Sequence, residues 1–243
     1  MTDAAPPSPA PPASPSPALL AELAGFDTPT ICNALDLLRP GRAGVRYTRS
    51  RLLWARADEP PMVGYAVTAT VRGASPAPFG AEEAMRRRLA YWQHLKDAPK
   101  PAILLAQDLD PEPGAGGIWG DVNAAIHQGF GCRGVVTNGA VRDLALLPAG
   151  FAILAGTVTP SHGHGHVAGW NEPVTVAGMT VAPGDLVHAD RHGAVTIPPD
   201  LAPLLAEAAR RVQRREAHIL AAARAPGLTP ERLAAAFREA AAL

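Results

Sequence analysis

Short runs rich in valine alternate with helical segments over residues 62–137. The run 62–71 combines valine and threonine with small residues, as buried strands do, and 103–106 and 134–137 are shorter apolar runs of the same kind. Over 81–96, apolar side chains recur every three or four residues, which predicts an amphipathic helix. Alternation of this kind is typical of α/β proteins, so we predict that fold class.

Strands cluster in the second half of the chain, which predicts a mixed sheet. Residues 151–154 and 174–176 have strand composition. The run 180–197 holds a proline-glycine-aspartate turn signal at 183–185 between valine-rich pieces, and it predicts a strand-turn-strand unit. After residue 200 the chain is rich in alanine, leucine and arginine, which predicts C-terminal helices. The expected architecture is an α/β sandwich with a mixed sheet.

The domain organisation follows from length and composition. A chain of 243 residues is long enough for one sizeable core. Residues 1–17 consist almost wholly of proline, alanine and serine, so we predict a disordered tail there. One domain is predicted over 18–226, followed by a C-terminal helix at 227–243.

Charge and cysteine content exclude several classes of protein. The 22 basic residues balance 22 acidic ones, so nothing draws the chain as a whole toward nucleic acid or an anionic membrane. The two cysteines, Cys32 and Cys132, form no CxxC motif or disulfide framework. The sequence also lacks a signal-peptide pattern and an apolar run long enough to span a bilayer. We expect a cytoplasmic protein with no nucleic-acid or membrane partner.

The glycine-rich stretch 114–143 carries the residues on which we base a functional prediction. Asp121 precedes an apolar-periodic segment, the position where an acidic side chain caps a helix. The amides of Val122 and Asn123 would then be free to attract a carboxylate, aided by the helix dipole. The alternative is that Asp121 is only a cap.

Arg142 and Asp143 follow the predicted strand 134–137, which Asn138-Gly139 ends. Ligands of α/β sheets bind beyond the carboxyl ends of strands. Arginine offers a planar fork to a carboxylate, and aspartate is an oxygen ligand suited to Mg²⁺, which needs few protein ligands. An exposed ion pair is the alternative reading of this dipeptide.

Together these residues form the pattern D-x20-R-D within WGDVNAAIHQGFGCRGVVTNGAVRD at 119–143. This stretch, with PGDLVHADRHG at 183–193, resembles the regulator of ribonuclease activity A (RraA-like) family. The resemblance extends to the class II 4-hydroxy-4-methyl-2-oxoglutarate and 4-carboxy-4-hydroxy-2-oxoadipate aldolases and covers roughly residues 18–225. It implies an RraA-like swivelling β/β/α sandwich. The label demethylmenaquinone methyltransferase, sometimes given to similar sequences, requires a methyl-donor site that we do not find in this one.

The resemblance also implies roles for individual residues. Asp143 matches the aspartate that binds a divalent ion, Mg²⁺ or Mn²⁺, and the other ligands of that ion are mostly waters. Arg142 matches the arginine that holds the carboxylate and keto oxygen of a small 2-oxo acid substrate. Asp121 matches the aspartate that orients a water for proton exchange with the enolate carbon. The implied substrate-binding positions are Gly120, Val122, Asn123 and Arg142.

Members of the family that the sequence resembles assemble as homotrimers or as dimers of trimers. In them an acidic residue from the C-terminal region of a neighbouring subunit reaches the metal-bound waters. Glu216 is our candidate for that residue, with Glu207 close by in the sequence. A glutamate on a solvated helix face is the alternative for either.

Five of the eight histidines lie between residues 162 and 192. His162, His164 and His166 alternate, so a strand would place them on one face, where they would suit zinc and a hydrolase. A glycine-spaced loop would leave them scattered instead. The family resemblance suggests His162, His166, His188 and His192 as site-lining residues.

The sequence therefore predicts a divalent-metal-dependent lyase that cleaves a 2-oxo acid through a pyruvate enolate, as an aldolase or an oxaloacetate decarboxylase. The alternative is a non-catalytic protein-binding regulator of ribonuclease activity with the same fold.

Overall fold

The structure is a computed structural model that describes residues 15–243. The predicted tail at 1–17 falls almost wholly outside the described residues. The first helix, α1, begins at Pro17, one position before the predicted domain boundary, because the side chain of Ser16 accepts a hydrogen bond from the Leu19 amide and caps it.

The described residues form six helices and twelve strands. The helices are α1 Pro17–Leu23, α2 Thr28–Leu38, α3 Ala81–Asp97, α4 Asp121–Gly129, α5 Ala202–Arg224 and α6 Pro230–Ala242. The strands are β1 Leu53–Trp54, β2 Met62–Arg72, β3 Ala102–Asp108, β4 Cys132–Thr137, β5 Ala140–Val141, β6 Ala152–Ala155, β7 Thr157–Val158, β8 His166–Trp170, β9 Val174–Val176, β10 Met179–Val181, β11 Leu186–Asp190 and β12 Gly193–Ile197.

The main sheet is mixed, with strand order β1-β6-β4-β3-β2-β11-β12. Strands β2, β3, β4 and β6 run parallel, and β1, β11 and β12 extend the sheet in antiparallel fashion. The long strand β2 pairs with β11 along its amino-terminal half and with β8 near its carboxyl end. The predicted α/β class with a mixed sheet is confirmed.

Alternate residues of β2 pack on opposite faces of the sheet, as the two-residue repeat of a strand requires. Val63 joins the core beneath α1, α2 and α5, and Val67 joins the core beneath α3 and α4. Met62 and Ala66 face the other side, where the β9–β10 hairpin covers them. The molecule is therefore layered as small sheet, large sheet and helices, with α6 packed on α5.

The predicted strand-turn-strand unit at 180–197 forms, but the two strands on either side of its turn do not pair with each other. The turn at 183–185 forms, since Gly184 has φ 84° and the Asp185 carboxylate accepts the Ala182 amide at 2.9 Å. However, it joins β10 of the small sheet to β11 of the large one. The hairpin is instead β11–β12, and its turn is at Arg191 and His192. Tertiary packing of β10 over the apolar face of the main sheet overrides pairing with its neighbour in sequence.

Candidate functional site

The candidate site lies beyond the carboxyl ends of the parallel strands. There β5 pairs in parallel with β7, and Trp119 forms a bridge to Val141 on the other side. The Trp119 carbonyl accepts a hydrogen bond from the Arg142 amide at 2.9 Å. The β5–β7 sheet and its bridge to Trp119 bring the start of α4 against Arg142 and Asp143, although more than twenty residues separate them in sequence.

Two side chains that the sequence analysis did not single out join the strand ends beneath this site. The Asn138 amide side chain accepts from the Asp108 backbone N–H at 2.8 Å and donates to the Asp108 carbonyl at 3.0 Å. The buried Asp108 carboxylate then accepts the amides of Asp110 and Gly114. Both residues follow predicted parallel strands, so their position at the strand ends was the available signal. They fix the glycine-rich loop that leads to α4.

Gly120, not Asp121, is the N-cap of α4. A Cβ atom on Gly120 would lie 2.3 Å from Asp143 Oδ2 and 3.2 Å from Arg142 Nε, so a capping side chain has no room there. Asp121 is consequently the first helical residue, and its Oδ1 accepts from the Val122 amide at 2.7 Å. The predicted cap position is therefore wrong by one residue.

The two amides that we expected to be free differ in the structure. The Val122 amide is taken by the Asp121 carboxylate, whereas among the described residues no acceptor faces the Asn123 amide. The Asn123 side chain donates to the Ile118 carbonyl at 2.7 Å, which holds the first turn of the helix in place. The helix start therefore offers the Asn123 amide and the dipole to an anion.

Arg142 and Asp143 form a close, half-buried pair. Arg142 Nη1 lies 3.2 Å from Asp143 Oδ1 and 2.9 Å from Oδ2. Arg142 Nε is a buried atom without a hydrogen-bond acceptor among the described residues, whereas the buried Asp143 Oδ2 has the Arg142 guanidinium as its partner. Asp143 also has φ 55°, a left-handed conformation that is uncommon outside glycine. Unsatisfied buried atoms and unusual backbone together are typical of functional sites.

The Asp143 carboxylate is a suitable ligand for Mg²⁺ or Mn²⁺. Over residues 15–243, no group of three or more His, Cys, Asp or Glu side chains is arranged to hold a metal ion, so the structure gives no support to a zinc site. Mg²⁺ differs from zinc, because it keeps several waters and binds through one or two carboxylates. The Asp143 carboxylate, which lies beside the glycine at the helix start, would be one such ligand.

The three alternating histidines do not converge, and two of them, His162 and His166, bond to nearby backbone. His162 is exposed, and its Nδ1 donates to the Gly163 carbonyl at 2.6 Å. His166 Nδ1 donates to the His164 carbonyl at 2.9 Å. His164 and His166 line a separate cavity with Asn123, whereas the side chain of His162 does not.

His188 and His192 lie at the opposite edge of the sheet, which corrects the prediction that they line the site. Strand β11 runs antiparallel to β2, so the Ala189–Met62 pair sits at the amino-terminal end of β2. His188 is fully buried and bonds to Thr28 Oγ1 at 2.9 Å, and burial lowers its pKa. His192 contacts the Asp190 carboxylate in the hairpin turn.

Glu216 lies on α5, where its carboxylate accepts a hydrogen bond from the Asn33 side chain at 3.0 Å. Glu207 pairs with Arg210 and Arg214 on the same helix, as the solvated-face alternative predicts. The role of Glu216 across a subunit boundary stays a prediction.

His127, near the end of α4, is buried and its side chain contacts the first turn of the same helix. His127 Nδ1 donates to the Asn123 carbonyl at 2.6 Å, which leaves Nε2 to accept from the Tyr91 hydroxyl at 2.8 Å. Burial lowers the pKa of His127 to about 4, although the bond to Asn123 opposes the shift. The imidazole is therefore neutral at pH 7.

We expect this histidine to make the protein less stable in acid. Between pH 6.5 and about 4 the unfolded state binds a proton that folded His127 does not, so the free energy of unfolding should fall by up to about 3 kcal/mol as the pH decreases. Urea unfolding at several pH values measures this slope. His127→Gln should flatten it, whereas His162→Gln, at an exposed position, should not. Equal slopes in all three proteins would refute the assignment.

A family model described as Aldolase/RraA matches residues 28–196, more than half of the chain. The chain belongs to the RraA-like family. The family resemblance read from the 119–143 stretch is thereby confirmed. This RraA-like family includes both lyases and non-catalytic RNase inhibitors, so membership alone does not assign an activity.

Solved structures share the RraA-like fold of this chain. RraAS2 of Streptomyces coelicolor, an unusual member of the RNase ES inhibitor RraA protein family, is 24% identical with a TM-score of 0.64, over 84% of this chain and 97% of that one. An uncharacterized protein from Pseudomonas syringae is 21% identical with a TM-score of 0.70, over 96% and 98% of the two chains. At these identities the likeness shows the fold alone.

Curated relatives match parts of the chain. Uncharacterized protein MJ0644 of Methanocaldococcus jannaschii is 31% identical over 104 residues, 42% of this chain and 50% of the relative. Protein DlpA of Legionella pneumophila is 30% identical over 86 residues, 34% of this chain and 14% of the relative. The chain thus covers half or less of these two relatives.

None of the helices described here is both long and apolar enough to cross a membrane.

Proposed function

We propose that this RraA-like protein is a divalent-metal-dependent lyase that cleaves a 2-oxo acid through a pyruvate enolate. Its substrates would be of the 4-hydroxy-4-methyl-2-oxoglutarate type, oxaloacetate, or both. The observation that carries the proposal is the Arg142–Asp143 pair, which lies against the start of α4 with Arg142 Nε buried and without an acceptor among the described residues. A chain that used this pair only as a surface ion pair would have no reason to bury Arg142 Nε without an acceptor.

The residues of the site suit the charge changes of such a reaction. Breaking the bond between C3 and C4 of the 2-oxo acid leaves its electron pair on the pyruvate fragment, and the keto oxygen becomes an enolate oxygen. Arg142 would donate to that oxygen and to the neighbouring carboxylate, and the Asn123 amide would donate to the same carboxylate. Mg²⁺ or Mn²⁺ held by Asp143 would supply further positive charge when bound.

Asp121 would take part in the proton step. Its Oδ1 is held by the Val122 amide, while its Oδ2 takes no hydrogen bond from the described residues. That free oxygen would orient a water, which delivers a proton to C3 of the enolate and completes pyruvate. In the cleavage direction of an aldol, the hydroxyl proton of the substrate leaves by the same route.

We also propose that the protein assembles as a homotrimer or homohexamer. Apolar side chains that are largely exposed in the single chain flank the site, among them Val122 at 62%, Leu144 at 40% and Leu146 at 68%. Contiguous exposed apolar residues mark contact surfaces. The same surface would serve a non-catalytic regulator that binds another protein, which is the second candidate function.

Pyruvate release, coupled to lactate dehydrogenase, tests the proposal. Oxaloacetate and 4-hydroxy-4-methyl-2-oxoglutarate should each be assayed with Mg²⁺, Mn²⁺ and EDTA, with Asp143→Asn protein as the control for uncatalysed decay. Metal-dependent release above that control supports the lyase. Protein that binds Mn²⁺ yet releases no pyruvate from either substrate would contradict it and favour the regulator.

A methyl group at Gly120 should disable the site without unfolding the protein. The Cβ of Gly120→Ala would displace the Asp143 carboxylate, which lies at the end of a side chain and can move, so we expect at least about a tenfold loss of turnover and Mn²⁺ affinity. Gly129→Ala, in the last turn of the same helix, is the matched control, because no atom lies within 4 Å of its Cβ position. Activity, Mn²⁺ titration and thermal unfolding of both variants measure the difference. Full activity in Gly120→Ala would show that the Asp143 position is not critical.

A further inference from the structure

A cavity of about 330 Å³ lies between α3, α4 and β8, next to the candidate site but without Arg142 or Asp143 in its walls. Its aromatic walls are Phe79, Tyr91, Trp92, Trp119 and Trp170. Three of the four tryptophans of the chain are thus gathered around one cavity. Cavities at the lower end of the usual range for ligand sites hold small molecules, and aromatic walls favour a planar one.

The charge around this cavity has one sign. Arg87 and Arg88 line it with three histidines, and no aspartate or glutamate does. Arg88 and His164 are exposed, which places them at the mouth, whereas His127 is buried in the floor. The lining therefore favours an anion that enters past cationic side chains.

Arg87 is held as a preformed anion-binding group. Its Nη2 donates to the Ala168 carbonyl at 2.7 Å, and its guanidinium carbon lies 5.1 Å from the Phe79 ring centre and 5.4 Å from that of Trp170. Its Nε is buried and has no acceptor among the described residues. A buried guanidinium donor without an acceptor, beside aromatic faces, is suited to a carboxylate on a planar apolar body.

We propose that this cavity is a second binding site and that its ligand is a small aromatic carboxylic acid. The carboxylate pairs with Arg87, and the ring packs among the tryptophans. The site does not depend on the lyase activity, since its walls exclude the Arg142–Asp143 pair. Its floor includes Asn123 and His127 of α4, so an occupied cavity contacts the helix whose first turn faces the candidate site.

Tryptophan fluorescence of the full chain, supported by calorimetry, tests this proposal with benzoate and phenylacetate as probes. Cyclohexanecarboxylate keeps the charge without the aromatic ring, benzyl alcohol keeps the ring without the charge, and inorganic phosphate reports general anion binding. We expect saturable quenching by an aromatic acid, with at least fivefold weaker binding of the other three compounds.

Two neighbouring arginines provide the matched variants. Arg87→Met should weaken binding of the aromatic acid at least tenfold, while Arg86→Met should change it less than twofold, because Arg86 is exposed, pairs with Glu83 and does not line the cavity. If Arg87→Met does not fold, Arg87→Lys, which keeps the charge but loses the planar fork, should still weaken binding. Arg142→Ala should bind the probe normally, so failure of the lyase proposal and failure of this one are distinguishable.

Three results would overturn the proposal. They are the absence of saturable binding by either aromatic acid, equal affinities in the Arg86 and Arg87 variants, and phosphate binding as tight as that of the aromatic acids.

Discussion

Replacing Asp143 with asparagine should lower metal-dependent pyruvate release by at least about a thousandfold, because a bound metal contributes several kcal/mol of charge stabilisation and each 1.4 kcal/mol is tenfold in rate. The Asp143 carboxylate lies at this site with its Oδ2 buried against Gly120 and the Arg142 guanidinium. Asparagine tolerates the left-handed φ of 55° nearly as well as aspartate, so the backbone should be retained and the charge alone removed. The measurement is turnover with saturating Mg²⁺, together with Mn²⁺ titration.

A control for this variant is Asp97→Asn, at an exposed position near the end of α3, which should keep wild-type turnover. The Asp143→Asn protein should also fail to recover at high Mn²⁺ concentration. Normal, EDTA-sensitive turnover in Asp143→Asn would show that the metal is bound elsewhere.

Replacing Arg142 with alanine should lower turnover by about two to three orders of magnitude, the usual loss when one preorganised donor to a developing oxyanion is removed. Arg142→Lys keeps the positive charge but not the planar fork, so we expect a loss between those of wild type and alanine. Steady-state kinetics with oxaloacetate and 4-hydroxy-4-methyl-2-oxoglutarate measure both.

Metal binding separates the role of Arg142 from that of Asp143. The guanidinium lies 2.9 Å from Asp143 Oδ2, so its removal takes away a competing cation and leaves the ligand oxygen in place. Arg142→Ala should therefore bind Mn²⁺ at least as tightly as wild type, whereas Asp143→Asn should not bind it. If both variants lose Mn²⁺ equally, the pair acts as a structural unit. Unchanged turnover in Arg142→Ala would exclude it from the reaction.

Local patterns predicted most secondary-structure elements, because hydrophobic periodicity and turn residues act over a few positions. Strand β2 was predicted at 62–71 and forms at Met62–Arg72, and α3 was predicted at 81–96 and forms at Ala81–Asp97. Pairing was harder. The turn at 183–185 gives no indication of which sheet receives the strand after it, since that depends on which apolar face remains uncovered.

The candidate site shows the same limit at the scale of single residues. Asp121 was predicted as the cap of α4, but the space that a cap side chain needs is occupied by the Asp143 carboxylate, more than twenty residues later. The resemblance grouped His188 and His192 with His162 as site-lining residues, yet the antiparallel direction of β11 takes them to the other edge of the sheet.

The sequence by itself determined the fold class and the RraA-like family. The fold class depends on short-range hydrophobic patterns, and the family depends on a fixed motif, D-x20-R-D. Only the tertiary structure decided that Gly120 lies against Asp143, and that Arg87 packs on Trp170 in the wall of an aromatic cavity. These contacts join residues far apart in the chain. Their geometry follows from how the sheet and helices pack, which no local pattern encodes.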